Sequence, residues 1–240
     1  MQCGEKVIRR IYRFDGEHSL DGYYGGKIKA AAESYGFSYD FCRFYSYDGG
    51  YILIYNSSSI MTGIFKNGEL SEFLDFCGAY SLECPKGDAP EGFEAYPRTM
   101  LTFPVMPYEY EKNELTVNSG FGRIYEITQS SFGDIDRDLW YADISHRVRH
   151  GISTTFLYKN CASGRIDFVS ENCGYIADIA VSPESRHKGT GGELLKVIGN
   201  HLFRMGLCGK LYAYNDVLPF YLHGGACVES SDVYYRRKEI

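Results

Sequence analysis

Eleven residues constrain this chain more than any others: Ser182-Pro183-Glu184-Ser185-Arg186-His187-Lys188-Gly189-Thr190-Gly191-Gly192. They separate a strand expected over 175–181 from a helix in which Leu194, Leu195, Ile198, Leu202 and Met205 recur at three- and four-residue spacing up to Gly206. A glycine-rich loop that opens a helix lets backbone N–H groups approach a phosphate, and the helix dipole favours the negative charge. Arg186 and Lys188 add two cations, so the segment reads as a pyrophosphate cradle. It is neither the G-x-G-x-x-G of a dinucleotide fold nor the G-x-x-x-x-G-K-[ST] of a P-loop.

The patterning around this loop predicts alternating strands and helices. In the second half, 122–127 reads as a strand, and Ser131 as the cap of a helical stretch through Trp140 toward His150, ended by Gly151. A hairpin is expected over 152–158 and 165–170, a strand over 210–215, a short helix over 217–223 and a last strand over 226–236. In the first half, strands are expected at 7–14, 41–47, 51–55, 60–65 and 99–103, with helices at 26–35, stopped by Gly36, and near 69–79. Residues 84–98 and 104–120 carry Pro, Gly and charge where a core face should be, and the second stretch is the expected boundary between domains 1–115 and 116–240. No repeat or low-complexity tract interrupts either half.

With these elements in place, the run Tyr175-Ile176-Ala177-Asp178-Ile179-Ala180-Val181-Ser182-Pro183-Glu184-Ser185-Arg186-His187-Lys188-Gly189-Thr190-Gly191 resembles motif A of the GNAT superfamily of acyl-CoA N-acyltransferases. That motif reads V-x-P-x-x-R followed by [RQ]-x-x-G-x-[GA], overlapping on the Arg. A second segment, Asn215-Asp216-Val217-Leu218-Pro219-Phe220-Tyr221-Leu222-His223-Gly224-Gly225-Ala226, is similar to the family's Asn…Phe-Tyr-x-x-x-Gly-Phe stretch. Its Asn-to-Tyr interval is one residue shorter, and Ala226 stands where the family commonly has an aromatic. The resemblance covers about residues 120–240.

What it implies is an α/β (mixed α+β) fold with a GNAT-like central mixed sheet and helices on both faces. The implied activity is an acetyl-CoA-dependent N-acetyltransferase, moving an acetyl group to a primary amine of a small molecule or peptide. The alternative is a non-catalytic acyl-CoA-binding sensor. Carried over by position, the backbone of Ile179, Ala180 and Val181 would pair with the pantetheine arm and acetyl carbonyl where the sheet splays. Arg186, His187, Lys188, Gly189, Thr190 and Gly191 would hold the pyrophosphate, Asn215 would bond the pantetheine, and Tyr221 would be the general acid for the departing thiolate.

The chemistry needs little more. An amine attacks a thioester directly, so catalysis rests on positioning and on backbone N–H groups that stabilise the oxyanion. An alkyl ammonium of pKa about 10.4 must first lose a proton, so a base is required. Tyr175, Asp178, His146 and His150 are candidates, and the sequence does not choose among them. Asp178 reads better as a structural hydrogen-bond acceptor, because strict alternation puts it on the face opposite Tyr175 and Ala177. His146-Arg147-Val148-Arg149-His150 reads as the cationic partner of a helix C-terminus, and His187 and His223 as surface or capping residues.

Charge and cysteine content bound the remaining classes. Residues 1–115 carry 17 acids against 11 bases, whereas 116–240 carry 14 of each, so the net charge of −6 lies in the first half. No basic nucleic-acid footprint is present, and an acidic half suits a cationic partner or is simply a solvated surface. The eight cysteines form no C-x-x-C pair and read as reduced, buried thiols without metal or disulfide chemistry. The absence of a signal peptide or long apolar run predicts a soluble, cytoplasmic protein without a membrane partner. The first half repeats the order strand, helix, three strands, helix, strand without the glycine loop. Two readings follow, a smaller α+β domain that is a degenerate GNAT-like half or an unrelated α+β domain.

Overall fold

The computed structural model describes residues 8–16, 18–47, 50–63, 68–85, 87 and 89–238. Val7, the turn residues Asp48 and Gly49, Ile64 and Phe65 at the end of an expected strand, and Cys3 lie outside them. The chain divides into two compact units, Met1–Arg98 with Ser231–Ile240, and Thr99–Ser230. The expected boundary at 115/116 differs from this division, which falls inside two long strands that begin in one unit and finish in the other.

The first unit contains β1 (Arg9–Ile11), α1 (Gly22–Tyr35), β2 (Cys42–Tyr47), β3 (Gly50–Tyr55), β4 (Ser58–Met61), α2 (Gly68–Phe76) and β5 (Ser81–Glu83). Strands β1 to β4 pair antiparallel in sequence order, and β5 returns parallel to β4 after the α2 crossover. Alternation along β3 explains its burial on both sides. Tyr51 and Leu53 pack with Ile28 and Ala31 of α1, whereas Ile52 and Ile54 pack with Leu70 and Leu74 of α2. α2 ends at Phe76, short of the helix expected near 69–79, and β5 is a strand the sequence patterning does not indicate. Glu83 at the end of β5 is clasped by Lys27 Nζ (2.5 Å) and Arg98 Nη1 (2.8 Å), and accepts from the Tyr23 hydroxyl (2.8 Å). Burial opposes its ionisation, but the two cations more than offset this and hold its pKa at about 2.

A long strand β6 (Phe93–Phe103) enters the second unit at Thr99. There follow β7 (Leu115–Val117), α3 (Phe121–Phe132), α4 (Arg137–Arg149), β8 (Thr154–Tyr158), β9 (Ala162–Ser170), β10 (Cys173–Val181), α5 (Thr190–Met205), β11 (Cys208–Tyr214), α6 (Leu218–His223) and β12 (Cys227–Arg237). The sheet of this unit runs β6-β11-β10-β9-β8-β7, and β12 ends beside β5 in the first unit. Strands β7 to β10 are antiparallel and α5 crosses to a parallel β11, the same connection pattern as β1 to β5. Helix α5 buries Leu194, Ile198 and Leu202 on one face of the sheet, and α3 buries Ile124 and Ile127 on the other.

Three expectations are corrected here. Residues 122–127 are helical rather than extended: Ile124, Tyr125, Ile127 and Thr128 form a buried helical stripe that a six-residue window does not distinguish from alternation. The cap of the following helix is Asp136, whose carboxylate accepts from Leu139 N (2.9 Å), and not Ser131. Cys173 and Cys208 are disulfide-bonded rather than reduced, because they are register partners on β10 and β11 with Cα atoms 4.4 Å apart. Cys42, Cys77 and Cys84 are buried and not disulfide-bonded. No helix among the described residues is long and apolar enough to cross a membrane.

Candidate active site at the split between two parallel strands

The site begins where two strands part. β10 and β11 pair from Cys173↔Cys208 to Ile176↔Leu211, and there the ladder ends although both strands continue. On its other edge β10 slips register against β9: Ala177 pairs with Arg165 and Ala180 with Ser163, so Asp178 and Ile179 together oppose Gly164. Asp178 takes φ +56°, an unusual conformation for a non-glycine residue. The slip shifts the phase of the strand. Ile176 and Ile179, three apart, both pack toward α5, whereas Asp178 and Ala180 face α3 and α4. Strict alternation, which placed Asp178 opposite Tyr175, therefore fails at the bulge.

After Val181 the chain makes a turn at Pro183–Ser185 and passes through His187 (φ +59°) to Gly189 (φ +85°, ψ −9°), from which α5 starts. The left-handed Gly189 turns the chain into the helix, and the first bond from inside α5 is Glu193 N to Gly189 O (3.1 Å). The N–H groups of Thr190, Gly191 and Gly192 thus have no intrahelical acceptor. A Cβ on Gly189 or Gly192 would meet nothing within 4 Å, so the approach to these N–H groups is open. Arg186 is a brace: its Nε donates to Val181 O (3.0 Å), and its Nη2 to Ser130 O and Ser131 Oγ (both 3.1 Å). Lys188 Nζ donates to Glu184 O (2.7 Å).

Helix α6 closes the same corner. A Cβ on Gly191 would meet Phe220 Cζ at 3.3 Å and Val181 Cγ2 at 3.4 Å, which brings the loop, the end of β10 and α6 to one point. Next to Phe220, half-buried Tyr221 packs on the α5 core, and its hydroxyl has no partner among the described residues. Burial pushes its pKa up to about 12, so it holds its proton throughout the neutral range. Ala226, the departure from the family pattern, is buried in that core and donates its N–H to Tyr221 O (3.0 Å). Asn215 is exposed just beyond β11, with no side-chain partner among the described residues.

On the opposite face lies a small cavity lined by Ile124, Thr128, Trp140, Thr155, Arg165 and Asp178. Arg165 Nε stands 3.0 Å from Asp178 Oδ2, and Asp167 is shared by Arg165 (3.3 Å) and Arg147 (3.0 Å). Thr155 Oγ1 and Trp140 Nε1 are buried there without hydrogen-bond partners among the described residues. Of the other base candidates, Tyr175 is 4% exposed and stacked on Phe168 (4.8 Å between centroids), and burial raises its pKa to about 12. His146 and His150 stack on each other at 4.1 Å at the end of α4, where His150 Nδ1 lies 2.9 Å from His146 O. Arg165, Asp167, Trp140 and Thr155 carry no local sequence signal, since three elements, α4, β8 and β9, bring them together.

Residues 121–224 match the model of the acetyltransferase (GNAT) family. No curated protein matches the chain. Among solved structures, the chain is similar to a GCN5-related N-acetyltransferase from Kribbella flavida (TM-score 0.59, 11% identity, covering 90% of this chain and 95% of that one). It is also similar to one from Sphaerobacter thermophilus (TM-score 0.56, 14% identity, 98% and 96%). A third likeness is to a GNAT-family acetyltransferase from Colwellia psychrerythraea (TM-score 0.51, 11% identity, 97% and 100%). At these identities the likeness is one of fold, and it extends across most of the chain.

Proposed function

We propose, on the premise that residues 121–224 are a GNAT acetyltransferase domain, that the protein transfers an acetyl group from acetyl-CoA to a primary amine. The split of β10 from β11 beside an open helix N-terminus is the observation that carries this reading. The free backbone edge of Ile179, Ala180 and Val181 suits an extended pantetheine arm, and a backbone N–H there suits the oxyanion. The N–H groups of Thr190, Gly191 and Gly192 suit a pyrophosphate, with Lys188 and His187 beside them and Arg186 bracing the loop. Asn215 is free to donate to a pantetheine carbonyl.

In the reaction the amine nitrogen bonds to the acyl carbon and the carbon–sulfur bond breaks. The ammonium gives one proton to water before attack and the attacking nitrogen gives up a second, the Tyr221 hydroxyl gives its proton to the sulfur, and the phenolate regains one from water. Tyr221 enters this step protonated because its burial opposes ionisation. The first unit, whose β1-to-β5 connection pattern matches that of β7 to β11 without a glycine-rich loop in its sequence, is a degenerate copy of the same fold in this reading. Thiol release from acetyl-CoA across a panel of amines, paired with calorimetric titration of acetyl-CoA, tests the proposal. Binding without turnover of any amine would favour a sensor, and absence of binding would refute both.

A further inference from the structure

We propose that the acceptor is a primary amine on a flat apolar arm, an arylalkylamine rather than a polyhydroxylated amine, held on the α3–α4 face beside Asp178. The inference rests on the acyl-transfer reading above and names the substrate class for that site.

Asp178 sits on the bulge that interrupts β10, immediately before the backbone assigned to the acyl group. Its carboxylate is 33% exposed, and only Oδ2 has a partner among the described residues, Arg165. The cavity it shares with Trp140 and Thr155 is small enough to take an ammonium head and little more. Thr155 is 2% exposed, yet its hydroxyl has no hydrogen-bond partner among the described residues. A buried hydroxyl without a partner is costly, so a polar group from outside the chain completes this site. An ammonium does so by donating to Asp178 Oδ1 and Thr155 Oγ1 beside Trp140.

Beyond the cavity the surface is aromatic. Trp140 lies 6.1 Å from Tyr141 and 5.5 Å from Tyr125, and Tyr141 lies 5.8 Å from Phe121, all as ring centroids. Tyr141 is 38% exposed, so the row reaches solvent. A flat apolar arm continues this stacking, whereas the hydroxyls of a sugar-like amine would lose water against it.

The test compares kcat/KM for phenethylamine, methylamine and glucosamine in the acetyl-CoA thiol-release assay. Phenethylamine is expected to exceed glucosamine at least tenfold. Trp140→Ala should cut the phenethylamine-to-methylamine ratio at least tenfold, with most of it restored in Trp140→Phe. Asp178→Asn should raise the KM of phenethylamine about tenfold. Tyr141→Ala, at an exposed position, should cut the ratio at least threefold even if Trp140→Ala does not fold. Glucosamine equal to phenethylamine, ratios unmoved by the Trp140 and Tyr141 changes, or no amine turned over while acetyl-CoA binds would each overturn the substrate class. Failure of acetyl-CoA to bind in calorimetry would remove the underlying acyl-transfer reading, and the class with it.

Discussion

Arg165 Nε lies 3.0 Å from the Asp178 carboxylate across the β-bulge, tying the one residue of β10 with positive φ to its neighbour strand. Arg165 also faces Asp167, which is 7% exposed, so it neutralises two acids at once. Arg165→Gln leaves Asp178 without its cation and Asp167 with Arg147 alone. For a fully buried pair such a loss costs about 3–5 kcal/mol, and the partial exposure of Asp178 brings the expected value to about 2 kcal/mol. Urea unfolding measures it, and an unchanged midpoint would contradict the bracing role.

Gly189 stands at φ +85° before the open N–H groups of α5. Gly189→Glu places a side chain and a negative charge in that approach and costs about 1–3 kcal/mol of backbone strain. Acetyl-CoA affinity is expected to fall at least about tenfold, equivalent to ~1.4 kcal/mol, in a variant that stays folded. Calorimetry of a folded variant with wild-type affinity would remove the loop from the cofactor site.

Tyr221→Phe should lower kcat about a hundredfold, the low end of general-acid effects, while leaving acetyl-CoA affinity nearly intact. The sign of its pH dependence follows from its raised pKa. The folded state keeps the proton up to about 12, whereas the unfolded chain releases it near 10, so stability declines as pH rises through that window. Alkaline unfolding should be shallower in Tyr221→Phe, and any loss of activity between pH 6 and 9 should persist in it. Equal kcat in the two proteins would make Tyr221 a packing residue.

Glu83 carries the opposite sign. Its pKa of about 2 lies below the unfolded value near 4.5, so its contribution is complete above pH 4.5 and is lost as pH falls toward 2. Thermal melts of Glu83→Gln across pH 2 to 7 should show a lower melting temperature at neutral pH and a flatter acid limb. A parallel acid limb in both proteins would assign the transition to other carboxylates.

A fragment of residues 116–240 omits Leu101 and Phe103, both buried in the α5 core, with Phe103 packed so closely on Gly209 that no Cβ fits there. It should lack a cooperative unfolding transition, whereas residues 99–230 should show one. Calorimetric scans of the two fragments decide this, and a cooperative 116–240 fragment would mean that β6 is dispensable.

What the sequence determined by itself is local: the helix stripe from Leu194 to Met205, the glycine loop before it, and the strands that flank both, because spacing and turn residues act between near neighbours. The family signature was legible for the same reason, since Val181 to Gly191 is one continuous run. Tertiary structure decided everything that depends on register and partners. The bulge that turns Asp178 toward Trp140 arises from one extra residue against β9, and a single extra residue leaves no mark in a hydrophobic pattern. The Cys173–Cys208 bond depends on two strands separated by 35 residues meeting in parallel. The last strand is legible at 226–236, but its pairing with β5 is not, because a strand's own residues specify which faces are buried and not which neighbour it pairs with.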